Sequence, residues 1–182
     1  MSERYLKLYS LFEKVKFLGM LISGITVFVM MLYTSADVLL RNIFGTSMLS
    51  AYEISQNYFM PLAVFPALAY AFGVGMMPRI EFLITKVNSI FIQRIVAITL
   101  ISGEIILMSM LTFFGAQYFL QALEKGLAFT AAGTNYPLYI VIIFVPIGFS
   151  LVIIEMVFLL VKNIKTKVPS FVVLDKYDTP DI

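Results

Sequence analysis

The 182-residue chain has no cysteine, no histidine and no tryptophan. Without cysteine there are no disulfides and no thiol redox chemistry. Without histidine as well, the usual zinc sites and bis-histidine haem ligation are excluded. Charge is scarce: Asp, Glu, Lys and Arg make up 13% of the residues, against about 25% in a soluble domain. The net formal charge of +2 gives no footing for nucleic-acid binding. The acids are not clustered as metal ligands, the serines have no histidine base, and no glycine-rich phosphate loop occurs. No catalytic residue, no cofactor and no metal site is therefore expected, and the chain does not read as an enzyme.

What the chain does have is apolar length. Hydrophobic residues make up 60% of it and the mean hydropathy is +0.94. Such a chain cannot cover its surface with polar groups, so lipid must be its solvent. Crossing the hydrocarbon core takes about 20 apolar residues. Four stretches qualify, at 17–40, 54–77, 95–120 and 138–161. The expected fold is an all-α integral membrane protein with four transmembrane helices in a single domain, 1–166, followed by a loose tail, 167–182. The first apolar run is longer than a signal-peptide core and lacks a small-x-small cleavage site, so it reads as a retained helix. Without tryptophan, an interfacial aromatic belt must come from the ten tyrosines and some of the seventeen phenylalanines.

The basic residues choose an orientation. Arg4, Lys7, Lys14 and Lys16 precede the first stretch, Arg79, Lys86 and Arg94 lie between the second and third, and Lys162, Lys165, Lys167 and Lys176 follow the fourth. Only Arg41 and Lys125 fall on the other side. Eleven of the thirteen Lys and Arg thus share one face, and the positive-inside rule makes that face, with both termini, cytoplasmic.

Local signals refine this outline. Leu8, Leu11, Phe12 and Val15 recur at helical spacing among Lys7, Lys14 and Lys16. The first helix is therefore expected to begin early, with a basic turn at the headgroups. Ser50 and Glu53 have capping-box spacing at the start of the second. Pro61 and Pro66 predict a kink there, with freed carbonyls that need other partners. Ala63, Ala67, Ala71 and Gly75 form a small-residue ridge, widened by Ala69 and Gly73, that lets another helix approach. Between the second and third stretches, Ile80, Leu83, Ile84, Val87, Ile90 and Phe91 make an apolar face with polar residues mostly opposite. This predicts a short helix lying flat in the interface, anchored by Arg79, Leu83, Lys86, Val87 and Phe91. Residues 121–136, with Gly126 and Gly133, read as a flexible loop, and Pro137 suits the first turn of the fourth helix.

Charges within apolar segments are the sharpest candidates for function. Asp37 and Arg41 are four apart, acid first, the favourable order for an intrahelical pair. The alternative is a polar contact with a partner at the outer face. Glu104 lies deep in the third stretch with no base close in sequence. It is a hydrogen-bonded structural acid, a partner contact or a coupling acid. Glu155, two turns before the end of the fourth stretch, is expected to snorkel or to pair with Lys162. Gln117 and Gln121 share one face toward the outer interface.

The order of the pieces resembles a known family. Asp37-Val38-Leu39-Leu40-Arg41 and Asn42-Ile43-Phe44-Gly45 close the first stretch, and Glu53 opens the second. The second ends through Ala69-Tyr70-Ala71-Phe72-Gly73 and then Arg79-Ile80-Glu81-Phe82-Leu83. The fourth begins Tyr136-Pro137-Leu138-Tyr139 and runs to Pro146-Ile147-Gly148-Phe149. This is similar to the small (Q-type, DctQ-like) membrane subunit of tripartite ATP-independent periplasmic (TRAP) transporters, over roughly 17–162. The chain departs from the family in having Pro78 where a histidine is frequent and Tyr139 where a tryptophan is frequent.

The resemblance implies a multi-pass protein of the bacterial inner membrane. Its partners would be a large (M-type) transport subunit and a periplasmic (P-type) substrate-binding protein, in sodium-coupled uptake of an organic acid. On that reading Asp37, Arg41, Glu53, Ala63, Ala67, Ala71, Gly75 and Glu104 are candidates for partner contact. A self-sufficient small carrier, with Glu104 as coupling acid, and an anchoring subunit of another complex are the alternatives.

Overall fold

The computed structural model describes residues 3–45, 51–75, 89–131, 133–165 and Val173. Four helical segments and one hairpin make up this part. Helix α1 (Glu3–Phe44) is unbroken, as a stretch without proline permits. It starts well before the apolar run, so the amphipathic segment at Leu8–Val15 is its continuation. Helix α2 (51–73) is composite. A π turn, Ser55–Phe59, and a 3-10 turn, Phe65–Ala67, interrupt its α-helical pieces. Helix α3 (Ile90–Glu124) is unbroken over 35 residues. Helix α4 (Tyr139–Lys165) is interrupted at Ile143, just after the carbonyl of Ile142 that the Pro146 ring would crowd.

Helices α1, α3 and α4 are each long and apolar enough to cross a membrane. Their outer surfaces carry large apolar side chains such as Phe28, Met31, Ile106 and Phe113, as expected where acyl chains are the solvent. Phe91 is exposed within the first turn of α3 rather than in a separate flat helix. The remaining interfacial candidates, Arg79, Leu83, Lys86 and Val87, lie outside the described residues, as does Ser50 of the capping box.

The prolines shape α2 as their chemistry requires. The π turn places the Met60 amide on the Ser55 carbonyl just before Pro61. Pro66 has no N–H for the Leu62 carbonyl, and the Ser23 hydroxyl of α1 approaches that oxygen at 3.5 Å. Two glycines seat the broken turn between its neighbours. A side chain at Gly19 of α1 would collide with the Pro66 carbonyl, and a Cβ at Gly148 of α4 would lie 2.6 Å from the Phe65 carbonyl. The small-residue face that meets the bundle therefore runs through Pro66 and Ala69, both buried. Ala63, Ala67 and Ala71 are half-buried and Gly75 is exposed.

The core gathers at the end of the bundle that holds the start of α1. Tyr9 and Phe12 meet Ala69 and Phe72 of α2, Ile101 of α3, and Val152, Met156 and Leu159 of α4. Phe158 is ringed by Tyr5, Tyr9 and Phe12, with centroids 5.3–5.8 Å away. Val173 is buried in the same cluster.

At the other end, residues expected to be a flexible loop form an antiparallel hairpin, β1 (Ala128–Ala131) with β2 (Thr134–Pro137). Gly126, at φ +59°, ends α3 so that the Leu127 amide returns to the Ala122 carbonyl at 2.9 Å. Phe129 and Tyr136 are cross-strand partners with stacked rings. Tyr58 of α2 packs on both and donates to the Pro137 carbonyl at 2.7 Å. These aromatic contacts and the ladder order a segment whose composition reads as loop. Pro137 ends β2, and α4 starts two residues later.

The glycine seats give a direct test. Gly19→Ala should lower stability by about 1–3 kcal/mol through overpacking. Gly24→Ala, with open space around it, should be neutral or stabilising by up to about 1 kcal/mol. Thermal loss of helical circular dichroism in detergent measures both. A Gly19→Ala protein melting at or above wild type contradicts the seating.

Candidate functional site

The most polar buried place in the described chain joins three helices. Lys16 of α1 and Glu155 of α4 are 4% and 2% exposed. Lys16 Nζ lies 2.7 Å from Glu155 Oε2, and the Tyr9 hydroxyl donates to Glu155 Oε1 at 2.9 Å. Lys16 also donates to the Tyr9 oxygen at 2.9 Å. Its ammonium sits 4.6 Å from the Tyr9 ring centre and 5.3 Å from that of Phe12. Helix α2 contributes space. A Cβ at Gly73 would lie 2.6 Å from Lys16 Nζ and 3.0 Å from Glu155 Oε1.

Each member is placed by ordinary helix geometry. Tyr9 and Lys16 are seven apart, two turns along one face of α1. Glu155 lies on the buried face of α4 with Val152, Met156 and Leu159. Neither charge would be tolerated alone in such a setting; paired and hydrogen-bonded, both are. The lysine expected at the headgroups is therefore inside the bundle, and the acid expected to snorkel is buried. Its two oxygens go to Lys16 and Tyr9.

Further polar ties surround this cluster. Arg94, at the start of α3, donates through Nε to the Asn163 carbonyl at 3.1 Å and through an η nitrogen to the Ile164 carbonyl at 2.6 Å. Helix-terminal carbonyls lack intrahelical partners, so a cation there both bonds them and complements the helix dipole. The Tyr5 hydroxyl reaches the Phe158 carbonyl at 2.8 Å.

The remaining candidates are arranged differently. Arg41 and Asp37 form the expected intrahelical pair at 2.9 Å, with the acid buried and the guanidinium exposed. Asp37 Oδ1 and Ser55 Oγ are buried without a hydrogen-bond partner among the described residues. Glu53 is half-buried in the first turn of α2, and its carbonyl accepts from the Asn57 amide at 2.8 Å. Gln117 and Gln121 are exposed on α3. Glu104 is half-exposed near the middle of α3 and is not drawn into the Lys16 cluster. The described residues contain no grouping of three or more acids that could hold a metal ion.

Three helices long and apolar enough to cross a membrane, with large apolar side chains on their exposed faces, point to an integral membrane protein. The family described as tripartite ATP-independent periplasmic transporters, DctQ component, matches residues 30–166, and the chain belongs to it. It is thus an inner-membrane component of a TRAP transporter and not an enzyme. No curated protein and no solved structure matches the chain.

Sequence reasoning missed the Lys16–Glu155 pair because its members are 139 positions apart. The available signal was an acid inside an apolar stretch, Glu155, toward the same expected face as the bases that include Lys16. Removing one partner leaves the other charge buried alone. Glu155→Leu should therefore destabilise the chain by about 3–5 kcal/mol. Lys16→Met combined with Glu155→Leu should recover most of that loss. Equal melting temperatures for the single and double variants would refute the coupling.

Proposed function

We propose that this chain is the scaffold of its transporter. It would hold the large membrane subunit in the bilayer while a periplasmic binding protein delivers an organic acid for sodium-coupled uptake. The observation that carries this reading is the Lys16–Tyr9–Glu155 cluster, seated against Gly73. It uses Lys16 of α1 and Glu155 of α4 to hold helices together, which suits a rigid support. In this reading α2 is a fourth, broken crossing, and both termini face the cytoplasm, in line with the distribution of basic residues.

The residues then take separate roles. Arg79, Leu83, Lys86, Val87 and Phe91 grip the cytoplasmic interface. The exposed Arg41 guanidinium, Glu53 and the hairpin lie on the outer side, where the binding protein docks. The half-buried small residues Ala63, Ala67 and Ala71, with Gly75, offer a close approach to the large subunit.

Reconstitution tests the proposal. Liposomes with a sodium gradient should accumulate a labelled sialic acid or dicarboxylate only when the large subunit, the binding protein and this chain are all present. Uptake by this chain alone, abolished by Glu104→Gln, would overturn the scaffold in favour of a self-sufficient carrier.

A further inference from the structure

Helix α3 packs on α4 through Ala97 and Ile101, with Ile105 and Met108 against the core and Gly115 against Val145. A second stripe lies beside that contact. Leu100, Glu104, Leu107, Leu111, Phe114 and Tyr118 follow one another at intervals of four and three, the spacing of a helix–helix seam. Leu100, Leu107, Leu111, Phe114 and Tyr118 are exposed, and Glu104 is half-exposed.

Leucine and phenylalanine alone would be satisfied by acyl chains. A carboxyl group at mid-helix would not, because hydrocarbon offers it neither a hydrogen-bond donor nor a counter-charge. Among the described residues Glu104 has no hydrogen bond and no ion pair. We propose that this stripe is the docking seam for a membrane helix of the large transport subunit, one that presents an arginine or lysine opposite Glu104. The inference rests on the scaffold reading and names the surface through which the scaffold holds its partner.

Charge selects this occupant over a second copy of the chain. A two-fold contact brings the same patch from both copies together, so Glu104 would face the like charge of its symmetry mate. A basic residue on a different helix neutralises it and fixes the register, as a single polar residue does in a helical seam.

The absence of cysteine from the chain permits a clean test in the full complex. Leu107→Cys, labelled with a benzophenone maleimide and irradiated, should form an adduct with the large subunit, identified by mass. Phe113→Cys, half a turn round α3 from Glu104, should form none. Glu104→Leu should reduce co-purified large subunit about tenfold without changing the helicity of the isolated chain, and Glu104→Gln should reduce it less. An intact wild-type complex in which Leu107→Cys captures only lipid or a second copy of this chain would overturn the seam and leave the scaffold standing. So would a Glu104→Leu variant that retains its partner in full. Failure of the wild-type chain to co-purify with any large subunit would overturn both.

Discussion

A lysine and a glutamate buried in an apolar bundle must find each other, and that requirement organises the end of this protein that holds the start of α1. Lys16 and Glu155 meet at 2.7 Å with Tyr9 bridging them. The pair links α1 to α4 past α2, which must present a glycine there, because a side chain at Gly73 would occupy the space of the ammonium. The surrounding aromatic rings then close over the charges, and Arg94 ties α3 to the end of α4. Helices α1 and α3 are thereby each held to α4 by a polar contact that lipid could not replace.

The broken course of α2 follows from similar constraints. Pro66 removes an amide and leaves a carbonyl to be met from outside, and the 3-10 turn around it projects backbone toward both neighbours. Gly19 and Gly148 accept that backbone from either side. A kinked helix is thus fixed by its neighbours rather than left free to bend. At the opposite end, Tyr58 extends the same order into the hairpin.

Much of this was legible in the sequence where the signal is local. Apolar length revealed α1, α3 and α4. Spacing revealed the Asp37–Arg41 pair, and the two prolines revealed the break in α2 and its need for an outside donor. Long-range contacts were not legible. Nothing near Lys16 or Glu155 in sequence points to the other, so each was assigned to the nearest plausible environment, headgroup or neighbouring lysine. The ridge at Ala63, Ala67 and Ala71 was recognised as smooth, yet the tightest approaches use Gly19, Pro66, Gly73 and Gly148, because proline geometry rather than residue size decides where the backbone protrudes. The hairpin is not legible locally, because its small and polar residues resemble a loop until Tyr58 is brought against Phe129 and Tyr136.

Membership of the DctQ family gives these internal ties a purpose. On the scaffold reading, a body that commits Lys16 and Glu155 to its own cohesion suits a support, and Glu104 is an acid without a partner among the described residues. On the scaffold reading, cohesion at Lys16 and Glu155 underlies the capacity to hold the large subunit. Exchanging the two charges tests it most directly, by recovery of the complex in mild detergent. Lys16→Glu and Glu155→Lys should each lose the large subunit, and the double exchange should regain it. Single variants that hold their partner as well as wild type would contradict the account.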